Sequence, residues 1–128
     1  PGVRAAITPV LAAHRETVEL FRARMVLRAG VALVDLGDDP VDGFNKFIPY
    51  FLAGGVQYTV VVTDSARRAK VSVGSNPWQR PEPLVNIAEL CGRHGGGGHP
   101  VVGAVSLPPG SLERAREIAR DIVQALGG

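Results

Sequence analysis

Apolar and polar positions follow two periods along this chain, and each change of period marks an element. Leu11, Val18, Phe21 and Met25 recur at helical spacing, with His14 on the same stripe, so the chain opens with a helix. Thr8 is placed to cap it, and Pro9 suits the first helical position. VALVDL (Val31 to Leu36) then predicts a strand, ended by the turn-prone GDDP. Near Asp42, VDGFNKFIPYFL predicts a short helix that Pro49 must end or kink, with Phe47, Tyr50 and Phe51 in the core. Two β-branched runs, Gln57 to Asp64 and Ala69 to Ser75, are joined by SARR in the pattern of a hairpin.

NPWQRPEP is too rigid for a helix and too proline-rich for a strand. The helical stretch VNIAELCGRH follows, with Asn86 as its cap, and leads into the run Gly95, Gly96, Gly97 and Gly98. Four glycines together resist regular structure, yet the next segment, PVVGAVSL, reads as a buried strand. Beyond PPG, Ser111 caps a closing helix whose apolar face is Leu112, Ala115, Ile118, Ala119, Ile122 and Leu126. Gly127 stops that helix. The expected fold is a single α/β domain over 1–128, a mixed sheet of about four to five strands flanked by helices.

Composition narrows the class. The apolar fraction of 45% and charged fraction of 20% are ordinary for a soluble globular protein. No apolar run approaches the roughly 20 residues of a membrane span, so no membrane partner is expected. No cationic segment and apolar stretch open the chain as in a signal peptide, and the lone Cys91 fits a reducing compartment. A cytoplasmic location is the expectation. A net charge of +2 suits an anionic ligand but not a nucleic-acid-coating tail. The chain begins at Pro1 rather than methionine, which reads as a piece of a longer protein.

The stretch RHGGGGH carries the most specific chemistry. It is not a P-loop, because no lysine followed by serine or threonine comes after it. Nor is it a dinucleotide fingerprint, which runs from strand into helix. Glycines without Cβ atoms let backbone N–H groups gather in a concavity that suits phosphate. His99 at the rim can donate a hydrogen bond to the same anion, and Arg93 can add charge. The competing reading is a helix terminator at Gly95 followed by a slack turn.

Other candidates are weaker. Asp35, Asp38, Asp39 and Asp42 invite a metal reading, but lack calcium-loop spacing and suit turns and caps better. Cys91, His94 and His99 are too sparse for zinc, and Cys91 is better explained by packing. Trp78 with Arg80 can stack a base and meet its phosphate, with a core plug as the equal alternative for Trp78. Asn45 and Lys46 open the Phe47 segment, and Lys46 is a weak anion candidate.

GGGGHPVVGAV resembles the glycine-glycine-glycine-histidine signature of the C-terminal associated domain of DHH-family phosphoesterases. VSVGSNPW is similar to the strand and loop that partner that signature, and FNKFIPY and VALVDL look like segments of the exopolyphosphatase-related branch. The likeness runs from Val31 to Leu126. It implies a division of labour. An N-terminal catalytic domain binds manganese through aspartates and histidines, including an Asp-His-His triplet. The C-terminal domain grips a phosphate-bearing small molecule or a short single-stranded oligonucleotide.

On that resemblance Gly95, Gly96, Gly97, Gly98, His99, Arg93, Trp78 and Arg80 are the expected substrate residues. The partners would be such a ligand and the catalytic domain of the same chain; a homodimer is compatible with this. No cofactor is expected in this chain itself, the manganese belonging to the missing catalytic domain. Two departures stand out. No Asp-His-His occurs here, and Gly74 stands where many members carry a substrate-binding arginine, a place that Arg80 or Arg93 would have to fill. The alternatives are a non-enzymatic nucleotide-sensing or RNA-binding module, and a structural domain whose glycines allow tight packing.

Overall fold

The computed structural model describes residues 15–37 and 48–127. Thr8, Pro9, Leu11, His14, Asp38, Asp39, Asp42, Asn45, Lys46, Phe47 and the Phe51 side chain lie outside the described part. A helix covers residues 15–24 (α1). It gives way to a strand at Met25, which was expected on the helical stripe. Met25–Arg28 (β1) pairs antiparallel with Val31–Asp35 (β2). The turn between them is two residues long, Ala29 and Gly30, both at positive φ, as the right-handed twist of a tight hairpin requires.

Ile48–Leu52 (α2) precedes the hairpin of Tyr58–Asp64 (β3) and Ala69–Ser75 (β4). Pro49 neither ends nor kinks α2. It occupies the first turn, where its missing N–H has no helical partner to lose. Ile87–Gly92 (α3) follows the proline-rich loop, with Asn86 accepting from the Glu89 N–H at 3.1 Å as its cap. Next come Gly97–His99 (β5), Val102–Leu107 (β6) and Leu112–Ala125 (α4). Ser111 takes the N-cap position of α4, but its side chain makes no capping hydrogen bond.

The sheet is mixed and has six strands in the order β1-β2-β3-β4-β6-β5, in which only β2 and β3 run parallel. β1 and β5 are the strands beyond those expected. Gly97, Gly98 and His99 thus form an edge strand on β6 rather than a slack loop.

β4 alternates strictly between buried and half-buried positions, as one covered and one open face demand. Val71 and Val73 join Val60, Val62 and Val105 under α3 and α4, where Ile87, Leu90, Ile118 and Ile122 complete the main core. Every residue expected on the apolar face of α4 packs there. A smaller core on the opposite face seats Phe21 of α1 and Ile48 of α2 over Val34, Leu36 and Val61. α1 and α2 thus cover the β2–β3 end of that face. Among the described residues no helix packs over the β4–β6–β5 end. β6 is correspondingly less buried than expected: Val105 is its one buried residue, and Val102 is exposed.

Candidate functional site

Residues paired across a sheet share a face, so the register fixes what the bare end displays. Thr59 opposes Gly74, Val61 opposes Ser72, and Thr63 opposes Lys70. Gly74 in turn opposes Val102 and Ser72 opposes Ala104; beyond them lie His99 and Gly97 of β5. These residues, with Tyr50, Pro77 and Arg80, line an open trough of about 1160 Å³. Small-ligand sites occupy roughly 300–1,000 Å³, so the trough has room for more than a lone anion. Small side chains make up much of its floor, among them Thr59, Ser72, Gly74 and Ala104, and Arg67, Arg68, Lys70 and Arg80 are the cations along it.

The glycines divide between folding and the trough. Gly95, at φ +85°, lies in the turn that follows α3, and the N–H groups of Gly95 and Gly96 bond back to the Gly92 and Cys91 carbonyls at 3.1 and 2.9 Å. The expected helix terminator is therefore present, and these two N–H groups are occupied by it. A Cβ on Gly96 would overlap the Ala104 carbonyl oxygen, and one on Gly98, at φ +145°, would overlap the Val102 carbonyl oxygen. Gly97 differs. A Cβ there would meet nothing within 4 Å, and its φ is not left-handed. Gly97, Gly98 and His99 line the trough; Gly95, Gly96 and Arg93 do not. Arg93 is the C-cap residue of α3.

Arg80 reaches the trough from the proline-rich loop. Its guanidinium donates to Ser75 Oγ at 2.5 Å, and Ser75 Oγ donates to the Val101 carbonyl at 2.8 Å. That chain of bonds ties the end of β4 to the turn carrying His99. Asn76 builds the loop, accepting from the Trp78 and Gln79 N–H groups at 2.9 and 3.1 Å while its amide donates to the Val56 carbonyl. Arg80 thus comes beside the strand position held by Gly74, whereas Arg93 does not. A Cβ on Gly74 would stand 3.2 Å from Thr59 Oγ1 and 3.6 Å from the Tyr50 hydroxyl.

Tyr50, expected in the core, stands half-buried in the trough wall, its hydroxyl 3.4 Å from Thr59 Oγ1. Burial raises its pKa above the ordinary phenol value of 10.0, and the Thr59 hydrogen bond and the Arg80 charge oppose that shift. Tyr50 therefore stays neutral near pH 7. Its ring meets Trp78 edge-on, with centroids 6.2 Å apart and planes at 84°. Trp78 is 62% exposed, which removes the core-plug reading. Sequence spacing gave no way to join Tyr50 to Trp78, because the sheet brings them together.

Asp35 and Cys91 have structural roles. Asp35 pairs with Arg116 of α4 at 2.7 Å and accepts from the Gly37 N–H at 2.9 Å. Cys91 is buried against the main core, and burial pushes its thiol pKa up, away from a reactive thiolate. Among the described residues no three His, Cys, Asp or Glu side chains gather closely enough to hold a metal ion. The described residues therefore do not fit a manganese site, and no chemical step is assigned to one here.

The sequence matches no protein-family model and no curated protein. Solved structures do match in fold. The pGpG-specific phosphodiesterase PggH from Vibrio cholerae superposes with a TM-score of 0.70 at 20% identity, over 87% of this chain and 39% of that one. An exopolyphosphatase-related protein from Bacteroides fragilis superposes with a TM-score of 0.65 at 15% identity, over 88% of this chain and 34% of that one. The DHH domain of a member of the S1P family of ribosomal proteins gives 0.50 at 13% identity, over 93% and 32%. This chain thus spans between about a third and two fifths of each neighbour's length. At these identities the likeness is one of fold: the chain folds as a part of DHH-domain proteins does.

Proposed function

We propose that this chain is the substrate-binding domain of a two-domain, manganese-dependent DHH-family phosphoesterase, and that it grips the phosphate end of a nucleotide or short oligonucleotide. The observation that carries the reading is Gly97. Neither packing nor backbone conformation requires glycine there, and the space its missing Cβ leaves opens into the trough. A phosphate can approach the β5 backbone at that point. His99 on the same face donates a ring N–H to it, and Arg80 supplies the full positive charge. Among the described residues β5 has a strand neighbour on one side only, so its other edge can meet a ligand with main-chain groups. Trp78, exposed beside Tyr50, offers a flat face for a base. Hydrolysis would fall to a second domain that presses its metals onto the held phosphate. A solved neighbour named for pGpG is in keeping with a short phosphorylated ligand.

Isothermal titration with a dinucleotide, with and without its 5′-phosphate, tests this reading. The phosphorylated form is expected to bind more tightly, and His99→Ala to remove most of that advantage. A hydrogen bond to a charged group contributes about 1.5–3 kcal/mol, so a loss of roughly ten- to hundredfold is expected. Equal affinity for the two ligands would overturn the reading.

A further inference from the structure

The β3–β4 turn gives the trough a second cationic end. Arg67 and Arg68 are exposed there, and Lys70 stands half-buried on the trough face between Thr63 of β3 and Ser106 of β6. The turn itself is built without these side chains. The Ser65 N–H donates to the Arg68 carbonyl at 2.9 Å, and Ser65 Oγ accepts from the Arg67 and Arg68 N–H groups at 3.2 and 3.3 Å. Among the described residues the Arg67, Arg68 and Lys70 side chains make no ion pair. Three cations thus converge on one end of an open trough where folding gives them no task.

We propose that Arg67, Arg68 and Lys70 form a second anion station, which takes another phosphate of the ligand whose terminal phosphate lies at Gly97, His99 and Arg80. This inference rests on reading the trough as a phosphate site. From Lys70 to Ser75, where Arg80 is anchored, β4 advances five residues, roughly 16–17 Å at the rise of a strand. One phosphate cannot serve both ends, so the second charge must come from further along the same chain. Among the described residues Asp64 is the one acid lining the trough, and its buried Oδ1 has no hydrogen-bond partner there. It opposes an anion locally, but Arg67, Arg68, Lys70 and Arg80 outnumber it along the trough. The small floor residues Ser72, Gly74 and Ala104 leave a clear path between the two ends. The ligand class is therefore an oligonucleotide of at least two phosphates rather than a mononucleotide.

The test is binding of 5′-phosphorylated oligoadenylates of increasing length, from the mononucleotide to the tetranucleotide, at several salt concentrations. Native protein is expected to show a rise in affinity once the ligand reaches the hairpin. Its salt slope should then steepen from about −0.7 to about −1.4, as for one and two neutralised phosphates on a single strand. Arg67→Ala combined with Arg68→Ala should weaken the longer ligands roughly five- to tenfold, as expected for exposed charge pairs, and leave the mononucleotide unchanged. The corresponding double lysine variant should recover most of the loss. Equal affinity at every length overturns the second station, and so does a double alanine variant that weakens no ligand or weakens all of them alike. If native protein binds none of these ligands, the phosphate reading of the trough fails and the second station falls with it; binding of the mononucleotide without a length effect removes the second station alone.

Discussion

Gly96 and Gly97 are neighbours held to different requirements, and the difference separates folding from binding. A methyl group on Gly96 would press into the Ala104 carbonyl and the Val105 backbone, and neither can yield without moving β6. Gly96→Ala is therefore expected to destabilise the fold by about 1–3 kcal/mol, the usual cost of overpacking. Gly97→Ala meets open space and should leave the melting temperature unchanged or slightly higher, since alanine restricts the unfolded chain more than glycine does. It should nevertheless weaken binding of a phosphorylated dinucleotide, because the new methyl group stands where the phosphate approaches. Thermal melts paired with titrations check both outcomes. A Gly97→Ala protein that binds normally would remove Gly97 from the phosphate site.

The Asp35–Arg116 pair gives one aspartate of the acidic stretch a structural task once elements are placed. It bridges the end of β2 to α4, and both groups are partly exposed. Asp35→Ala is expected to lower stability by about 0.5–1 kcal/mol and to leave ligand binding unchanged, measured by denaturant unfolding and titration. A binding defect without loss of stability would instead put Asp35 in the site. The β3–β4 hairpin, the Asn86 cap and the apolar face of α4 were legible because their side chains repeat at the period of the element. β1 was not: three of its four residues are exposed, so no alternation marks it, and Met25 falls in step with the preceding helix. β5 has almost no side chains to pattern and exists through its pairing with β6. In the trough, the glycine-histidine motif could be seen along the chain, but Tyr50, Lys70 and the arginines of the SARR turn join it only through sheet register. Trp78 belongs to the stiff loop that also holds Arg80, so a stacked base should quench its fluorescence. Binding seen calorimetrically without any change in that fluorescence would exclude Trp78 from base contact.

The six-stranded sheet carries α3 and α4 over one face, and among the described residues part of the other face has no helix over it, an asymmetry that suits a domain working against another body. If catalysis belongs elsewhere, this chain alone should hydrolyse no bis-p-nitrophenyl phosphate and show no saturable manganese site by calorimetry. The sequence has three histidines, His14, His94 and His99, and no Asp-His-His. Manganese-dependent turnover by the isolated chain would contradict the division of labour. Backbone amide NMR, with a 5′-phosphorylated dinucleotide titrated into labelled protein, decides directly whether the bare face is the binding face. Shifts are expected to concentrate at Gly97, Gly98, His99, Gly74 and Arg80 and to spare the outer surface of α4. Shifts centred on α3 and α4, or none at saturating ligand, would contradict a phosphate site in the trough.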